Sequence, residues 1–201
     1  NRADRDALAR ATGAPGARMT VVRPFGRLVP RIDPTAFVAD GAIVIGEVTV
    51  EEDASIWYGC VLRGDMGYIR VGARSNVQDL SLCHMTHDDT VVDIGQEVTI
   101  GHQVLIHGAR IEDGALVGMG SVLLDDVVVG AEALVAAGTL LTPRTVVPPR
   151  TLVRGHPGRV VRDLRPEEWG AGRETAIRYA ALARQHAQDR ALEPVQPPPT
   201  K

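Results

Sequence analysis

Aromatic side chains are nearly missing from this sequence: two Trp, three Tyr and two Phe among 201 residues, 3% in all. A core built without them must rely on small and branched aliphatics, which suits thin stacked layers of strand better than a bulky globular interior. Cysteine is as scarce. Cys60 and Cys83 are the whole complement, which excludes a disulfide framework and points to a reducing compartment. No apolar run approaches the roughly 20 residues that span a bilayer. An excess of either charge is missing too. A formal net charge of −3 and a pI near 6.1 leave no electrostatic footprint for nucleic acid or an anionic membrane. The length allows one domain with a full core, and these absences predict a soluble, cytoplasmic protein.

What is present is a period of six. Val38, Val44, Val50, Ile56 and Leu62 are one such series, and Ala36, Ala42, Val48, Ala54 and Cys60 precede them by two. After three extra residues the series resumes at Val71, Val77 and Cys83, and after a longer excursion at Ile94, Ile100 and Ile106. One hexad is a residue short. Ile111, Val117, Leu123, Val129, Val135, Leu141, Val147 and Val153 complete the run. Neither an α-helix nor an ordinary strand repeats at six. Short strands separated by turn residues such as Gly46, Gly72, Gly95, Gly101, Gly118 and Gly130 predict a solenoid. The pattern resembles the hexapeptide-repeat family, which implies a mainly β fold, a left-handed parallel β-helix with three flat faces.

The expected boundaries follow. Residues 1–18 are Ala-, Arg- and Gly-rich and read as a leader or appended segment before Met19. Residues 19–162 form the β-helix, ended by Gly155-His156-Pro157-Gly158. Residues 163–193 hold a C-terminal α-helix, from Pro166 to about Arg190, with Trp169, Ile177, Ala180 and Leu182 as apolar anchors. Gly170 and Gly172 weaken its start, so firm helix is expected from Arg173. Residues 194–201 are a Pro-rich tail predicted to be disordered.

The phase of the repeat sorts the histidines. His84 follows the inward Cys83 by one, and His107 follows the inward Ile106 by one. With 86–91 as a protruding loop, the two stack in one corner on successive coils, about 4.8 Å apart. His102 follows Ile100 by two and belongs to the next corner, pointing away. It cannot complete their site within one chain, so the spacing predicts a homotrimer with three metals held between subunits. Three imidazoles suit Zn²⁺, and Fe²⁺ or Co²⁺ fit the same ligands. Three protein ligands leave a position for water, the pattern of a catalytic site.

The stretches Arg63-Gly64-Asp65, Gly72–Asp79 (GARSNVQD), Leu82–His87 (LCHMTH) and Gly101–Gly108 (GHQVLIHG) resemble the γ-class carbonic anhydrases and their relatives from bacterial carnitine and phenylacetate operons. The likeness runs from about Phe25 to Arg162. It implies zinc ligation by His84, His102 and His107, and reversible hydration of CO₂ to bicarbonate. A zinc ion lowers the pKa of bound water towards 7, giving a hydroxide that attacks CO₂. By the same resemblance Arg63, Asp65 and Asp79 are interface ion-pair residues, Asn76 and Gln78 line the pocket, and Tyr179 overhangs it. The archaeal branch has proton-relay glutamates beside its RxD motif and in a long acidic loop. Here Met66 follows Asp65, and the short loop carries His87, Asp88 and Asp89. Histidine as a residue type exchanges protons near neutral pH, which makes His87 the expected proton shuttle.

Other chemistries fit the fold. Hexapeptide-repeat proteins include acyltransferases that act on acyl-CoA, a zinc-dependent thioesterase would use the same metal site, and an idle assembly protein would keep the fold alone. Cys60 and Cys83 occupy inward positions and are expected as core residues. His156 and His186 are expected as surface or turn residues.

Overall fold

The computed structural model describes residues 20–87 and 89–189. The segments expected as a leader (1–18) and a disordered tail (194–201) lie outside them. Over the described residues the chain winds a left-handed parallel β-helix of short strands, mainly β, with one α-helix, α1, at Ala171–Asp189. Three columns of inward residues fill it. Val44, Leu62, Cys83, Ile106, Leu123 and Leu141 are successive register partners. Val50, Val71, Ile94, Ile111, Val129 and Val147 form the second column. Val38, Ile56, Val77, Ile100, Val117, Val135 and Val153 form the third. Apart from Val38 these are all buried, and each aliphatic so enclosed contributes about 1.5–3 kcal/mol. Cys60 and Cys83 are part of this core. Burial pushes the Cys60 thiol up to about 11, and it pushes Cys83 higher still, so neither is a nucleophile at neutral pH.

The outward residues differ from face to face. One face carries Ile43, Val61, Leu82, Leu105, Val122 and Leu140 in register, an uninterrupted aliphatic row that is partly or fully open in the single chain. A second carries Thr49, Arg70, Asp93 and Arg110, joined by ion pairs such as Arg70–Asp93 at 3.1 Å and Arg110–Asp93 at 3.3 Å. The third carries Phe37, Ser55, Asn76 and Thr99, all buried because α1 packs over them.

Every departure from the six-residue period falls at the corner between the aliphatic and charged faces. The three extra residues lie inside the strand Val61–Val71, where the register with Ile43–Val50 shifts between Gly46 and Val48. The longer excursion after His84 and the short hexad after Ile106 leave at this same corner. The excursion is anchored by Met85, which is buried, and by Thr90, whose hydroxyl donates to the His87 carbonyl at 2.7 Å.

One of the expected turn glycines needs correction. Gly46 is not a turn between strands: it lies within Ile43–Val50, with φ +81° and room for no Cβ beside the Gly64 carbonyl. Gly72, Gly95, Gly101, Gly118 and Gly130 lie between strands, as expected, but without left-handed backbone. A Cβ on Gly72 would sit 2.3 Å from the Gly95 oxygen of the next coil, so these glycines permit close stacking. Much of the left-handed turn geometry is carried by residues such as Arg74, Leu80, Glu97 and Gln103.

The helix anchors were also misplaced. Of the four, only Ala180 is buried, and Trp169, Ile177 and Leu182 stay 47%, 57% and 39% exposed. The helix docks instead through Gly172, Ala176, Ala180 and Ala183. Small side chains at that spacing line one helical face and let the backbone approach the coils; a Cβ on Gly172 would lie 2.2 Å from the Gly114 carbonyl oxygen. The larger apolar residues then point away. A 3₁₀ turn occupies Pro166–Glu168, Gly170 is left-handed, and the helix begins at Ala171, ahead of the expected Arg173. At the end of the repeat, strand Thr151–Gly155 folds back through His156-Pro157 onto Gly158–Asp163, antiparallel.

Candidate metal centre

The column that continues past Cys83 and Ile106 brings two histidines together. His84 and His107 are register partners, with ring centroids 5.5 Å apart and planes at 61°. His102 sits at the opposite edge of the aliphatic face, in the turn after Ile100. Among the described residues of one chain, no group of three or more His, Cys, Asp or Glu is placed to hold an ion. One chain therefore presents a pair of imidazoles at one edge of an apolar surface and a single imidazole at the other.

Each histidine is bonded to a carboxylate. His102 Nδ1 lies 2.9 Å from Asp79 Oδ2, and His107 Nδ1 lies 2.9 Å from Asp125 Oδ1. His84 uses the other nitrogen, with Nε2 at 3.1 Å from Asp65 Oδ1. Asp65 also pairs with Arg63. Burial opposes ionisation of Asp65, but hydrogen bonds from Arg63 and His84 outweigh it and hold its carboxyl below the usual range. Asp125 behaves alike, held down against burial by Thr86 and His107. Burial pushes the His84 imidazole down, with help from the Arg63 and His107 charges and against the hydrogen bond to Asp65. A neutral imidazole is the form that binds a metal. With Nδ1 given to a carboxylate, His102 and His107 each keep Nε2 for an ion, the arrangement common among metal-ligating histidines. The donor set suits Zn²⁺, Fe²⁺ or Co²⁺.

Gln78 is oriented by a chain whose direction is fixed at its far end. The Gly172 carbonyl of α1 can only accept, so Thr99 Oγ1 donates to it at 2.9 Å. Thr99 Oγ1 accepts from Asn76 Nδ2 at 3.0 Å, and Asn76 Nδ2 also reaches the Val98 carbonyl at 3.4 Å. Asn76 Oδ1 must then accept from Gln78 Nε2, at 3.0 Å, which leaves the Gln78 amide oxygen as the free end. Asn76 is fully buried under the helix; in one chain it holds Gln78 rather than forming an open wall. Tyr179 packs edge-on against Trp57 with centroids 5.2 Å apart, and burial together with the Asp79 charge raises its pKa. His87 is exposed in the excursion, and Met66 is exposed beside Asp65. His186 is more than a surface residue: its Nδ1 meets Tyr58 Oη at 2.9 Å, and its ring packs edge-on against Trp57. His156 is an exposed turn residue.

Asp125, Thr86 and Thr99 were not legible as site residues. For Asp125 the signal was present, because it lies 18 residues after His107, one regular coil further on. A small hollow lined by Asp89, Thr90, Gly108 and Asp126 borders the excursion; the more open hollows lie elsewhere. One of about 850 Å³ is lined by Arg31, Glu51, Glu52 and Arg74, well away from the three histidines and threaded by its own Arg74–Glu52 ion pair.

No family model matches the chain. Protein YrdA of Escherichia coli is 40% identical over 87 residues, and the chain spans about half (47%) of its length. The "Probable carbonic anhydrase" of Methanocaldococcus jannaschii is 44% identical over 146 residues, which are 73% of this chain and 91% of that protein. The chain belongs to the γ-carbonic anhydrase family. As a member of that family it also shares its fold with a crystal structure of a hexapeptide transferase family protein from Anaplasma phagocytophilum. That chain is 40% identical, with a TM-score of 0.78 and coverage of 83% of this chain and 98% of its own.

Proposed function

We propose that the chain is a γ-class carbonic anhydrase that hydrates CO₂ reversibly to bicarbonate, at metal sites shared between the subunits of a homotrimer. The observation that carries this is the placement of the His84–His107 pair and His102 on opposite edges of one aliphatic face. When such faces pack together around a threefold axis, the edge of one subunit meets the opposite edge of the next. The aliphatic row supplies the driving force for assembly, since covering its remaining apolar surface contributes about 25 cal/mol per Å². His84 and His107 of one subunit and His102 of its neighbour would hold the ion. Zn²⁺, or Fe²⁺ or Co²⁺, when bound supplies a water acidic enough to ionise near neutral pH.

The protein's own groups have separable tasks. Gln78 offers an amide oxygen fixed in direction by Asn76, which can orient a nucleophile without adding charge. Asp65 and Arg63 form the polar rim beside His84, and Asp79 orients His102. Tyr179 lies near Asp79 on the helix side. His87, exposed beside the site, takes the released proton to buffer.

Metal analysis paired with a CO₂ hydration assay tests the proposal. One ion per chain and hydration abolished by chelation are expected, and His87→Ala is expected to slow turnover only in weak buffer, with imidazole restoring it. Metal-loaded protein that hydrates no CO₂ but cleaves acyl-CoA thioesters would replace this reading. Acyl transfer that survives chelation would assign it to the transferases, the class named for its Anaplasma phagocytophilum structural relative.

A further inference from the structure

Asp125 lies outside every motif that identified the site, yet it touches His107 directly. Its two oxygens have different partners. Oδ1 lies 2.9 Å from His107 Nδ1, and Oδ2 accepts from Thr86 Oγ1 at 2.7 Å. Thr86 belongs to the excursion after His84 and its hydroxyl is also 3.5 Å from His107 Nδ1. Gly108 lies beside the same oxygen that meets His107, where a Cβ would come within 2.4 Å of Oδ1. Four constraints therefore set one carboxylate: its own place in the next coil, the hydroxyl of the excursion, the imidazole, and a glycine that leaves it room.

We propose that Asp125 is a positioning residue that fixes His107 as its Nδ1–H tautomer, with Thr86 holding the carboxylate in place, so that Nε2 is presented for metal. An ionised carboxylate can only accept, so the proton of this contact resides on Nδ1. A free imidazole in water favours the opposite tautomer, with Nε2 protonated and blocked. The contrast with His84 sharpens the assignment, since Asp65 meets Nε2 there and so does not present that nitrogen. This inference rests on the reading of His107 as a ligand only for its consequence; the tautomer itself is a property of the single chain.

The test has two arms, both on the full chain. In metal-free, ¹⁵N-histidine-labelled protein above the imidazole titration range, ring nitrogen shifts report the tautomer, with His107 assigned through His107→Ala. The parent is expected as Nδ1–H. Asp125→Ala should move His107 mainly to Nε2–H, Thr86→Val should move it partway, and Asp125→Asn should keep Nδ1–H because the amide oxygen still accepts. An unchanged His107 tautomer in both Asp125→Ala and Thr86→Val overturns the proposal. So does Nε2–H in the parent. If Asp125→Ala does not fold, Thr86→Val alone decides. In the second arm, chelator competition for Zn²⁺ should show Asp125→Ala weakened by about 10–100-fold, the usual range for a lost outer-shell partner. Parent-like affinity in that variant refutes the positioning role. Parent protein that binds Zn²⁺ no better than His107→Ala refutes the proposed metal site instead, and leaves the tautomer result to stand by itself.

Discussion

The aliphatic face and the charged face are made of strands of similar length, in the same parallel register, over equally closed inward columns. They differ only in the residue that precedes each inward one. On one face that residue is Val61, Leu82, Leu105, Val122; on the other it is Arg70, Asp93, Arg110, Val128. The inward phase therefore specifies the solenoid, and the outward phase decides what each face meets. Arginines and aspartates paired across neighbouring coils keep one face in water and guard it against further strand association. Six aliphatics in a row on the other leave a patch of the kind that marks an interaction site. The histidines stand at the two edges of that patch and nowhere on the charged face.

The strongest way to break this comparison is to place the same charge on both faces. Leu105→Glu should abolish assembly, seen as a fall to monomer mass by light scattering, and remove metal with it. Val128→Glu, one step from Arg110 in register, should leave mass and metal content unchanged. A trimer that survives Leu105→Glu would show that the aliphatic face is not the contact.

Complementation sharpens the same point. Chains carrying His84→Ala and His102→Ala, mixed so that subunits exchange, should regain metal, because an intact pair on one chain can meet an intact His102 on another. Mixtures of His84→Ala with His107→Ala should not, since those two ligands must come from one subunit. Recovery in the second mixture, or none in the first after confirmed exchange, would mean the edges do not meet as proposed.

The smallest effect belongs to the charged face itself. Arg70 bonds Glu51 at 2.7 Å and Asp93 at 3.1 Å, with each partner about a quarter to a third exposed. Pairs so open to solvent are worth about 0–1 kcal/mol. Arg70→Met should therefore lower the denaturation midpoint only slightly and leave assembly untouched. A loss of several kcal/mol in urea unfolding would show that this face carries structure rather than solubility.

The inward columns were legible because the same position returned every sixth residue, and any break in the count was visible. The His84–His107 pair was legible for the same reason, as was the different phase of His102. The aliphatic row was written in the sequence one place earlier, at Val61, Leu82, Leu105, Val122 and Leu140, but a period sought for a core draws attention to inward residues. Asp125 escaped because an aspartate in a turn has many ordinary explanations, and only its distance of one coil from His107 gives it meaning. The helix anchors were not legible, because side-chain size does not decide burial on this helix. Ala176, Ala180 and Ala183 bury more completely than Ile177 or Leu182, since a helix that lies close to a flat sheet has space only for small side chains.

One feature of the corner beside His84 and His107 reaches beyond this molecule. Three residues are added there in one coil, a longer segment in the next, and one is removed in the coil after, while the columns on either side stay in step. In the language of genetics, this corner absorbs frameshifts of the hexad. Insertions and deletions that would scramble a sheet leave the inward columns in step here, yet each redraws the loop that borders the histidines. Lineages can therefore explore new chemistry at this edge by changing length, at a point where the fold does not register the change.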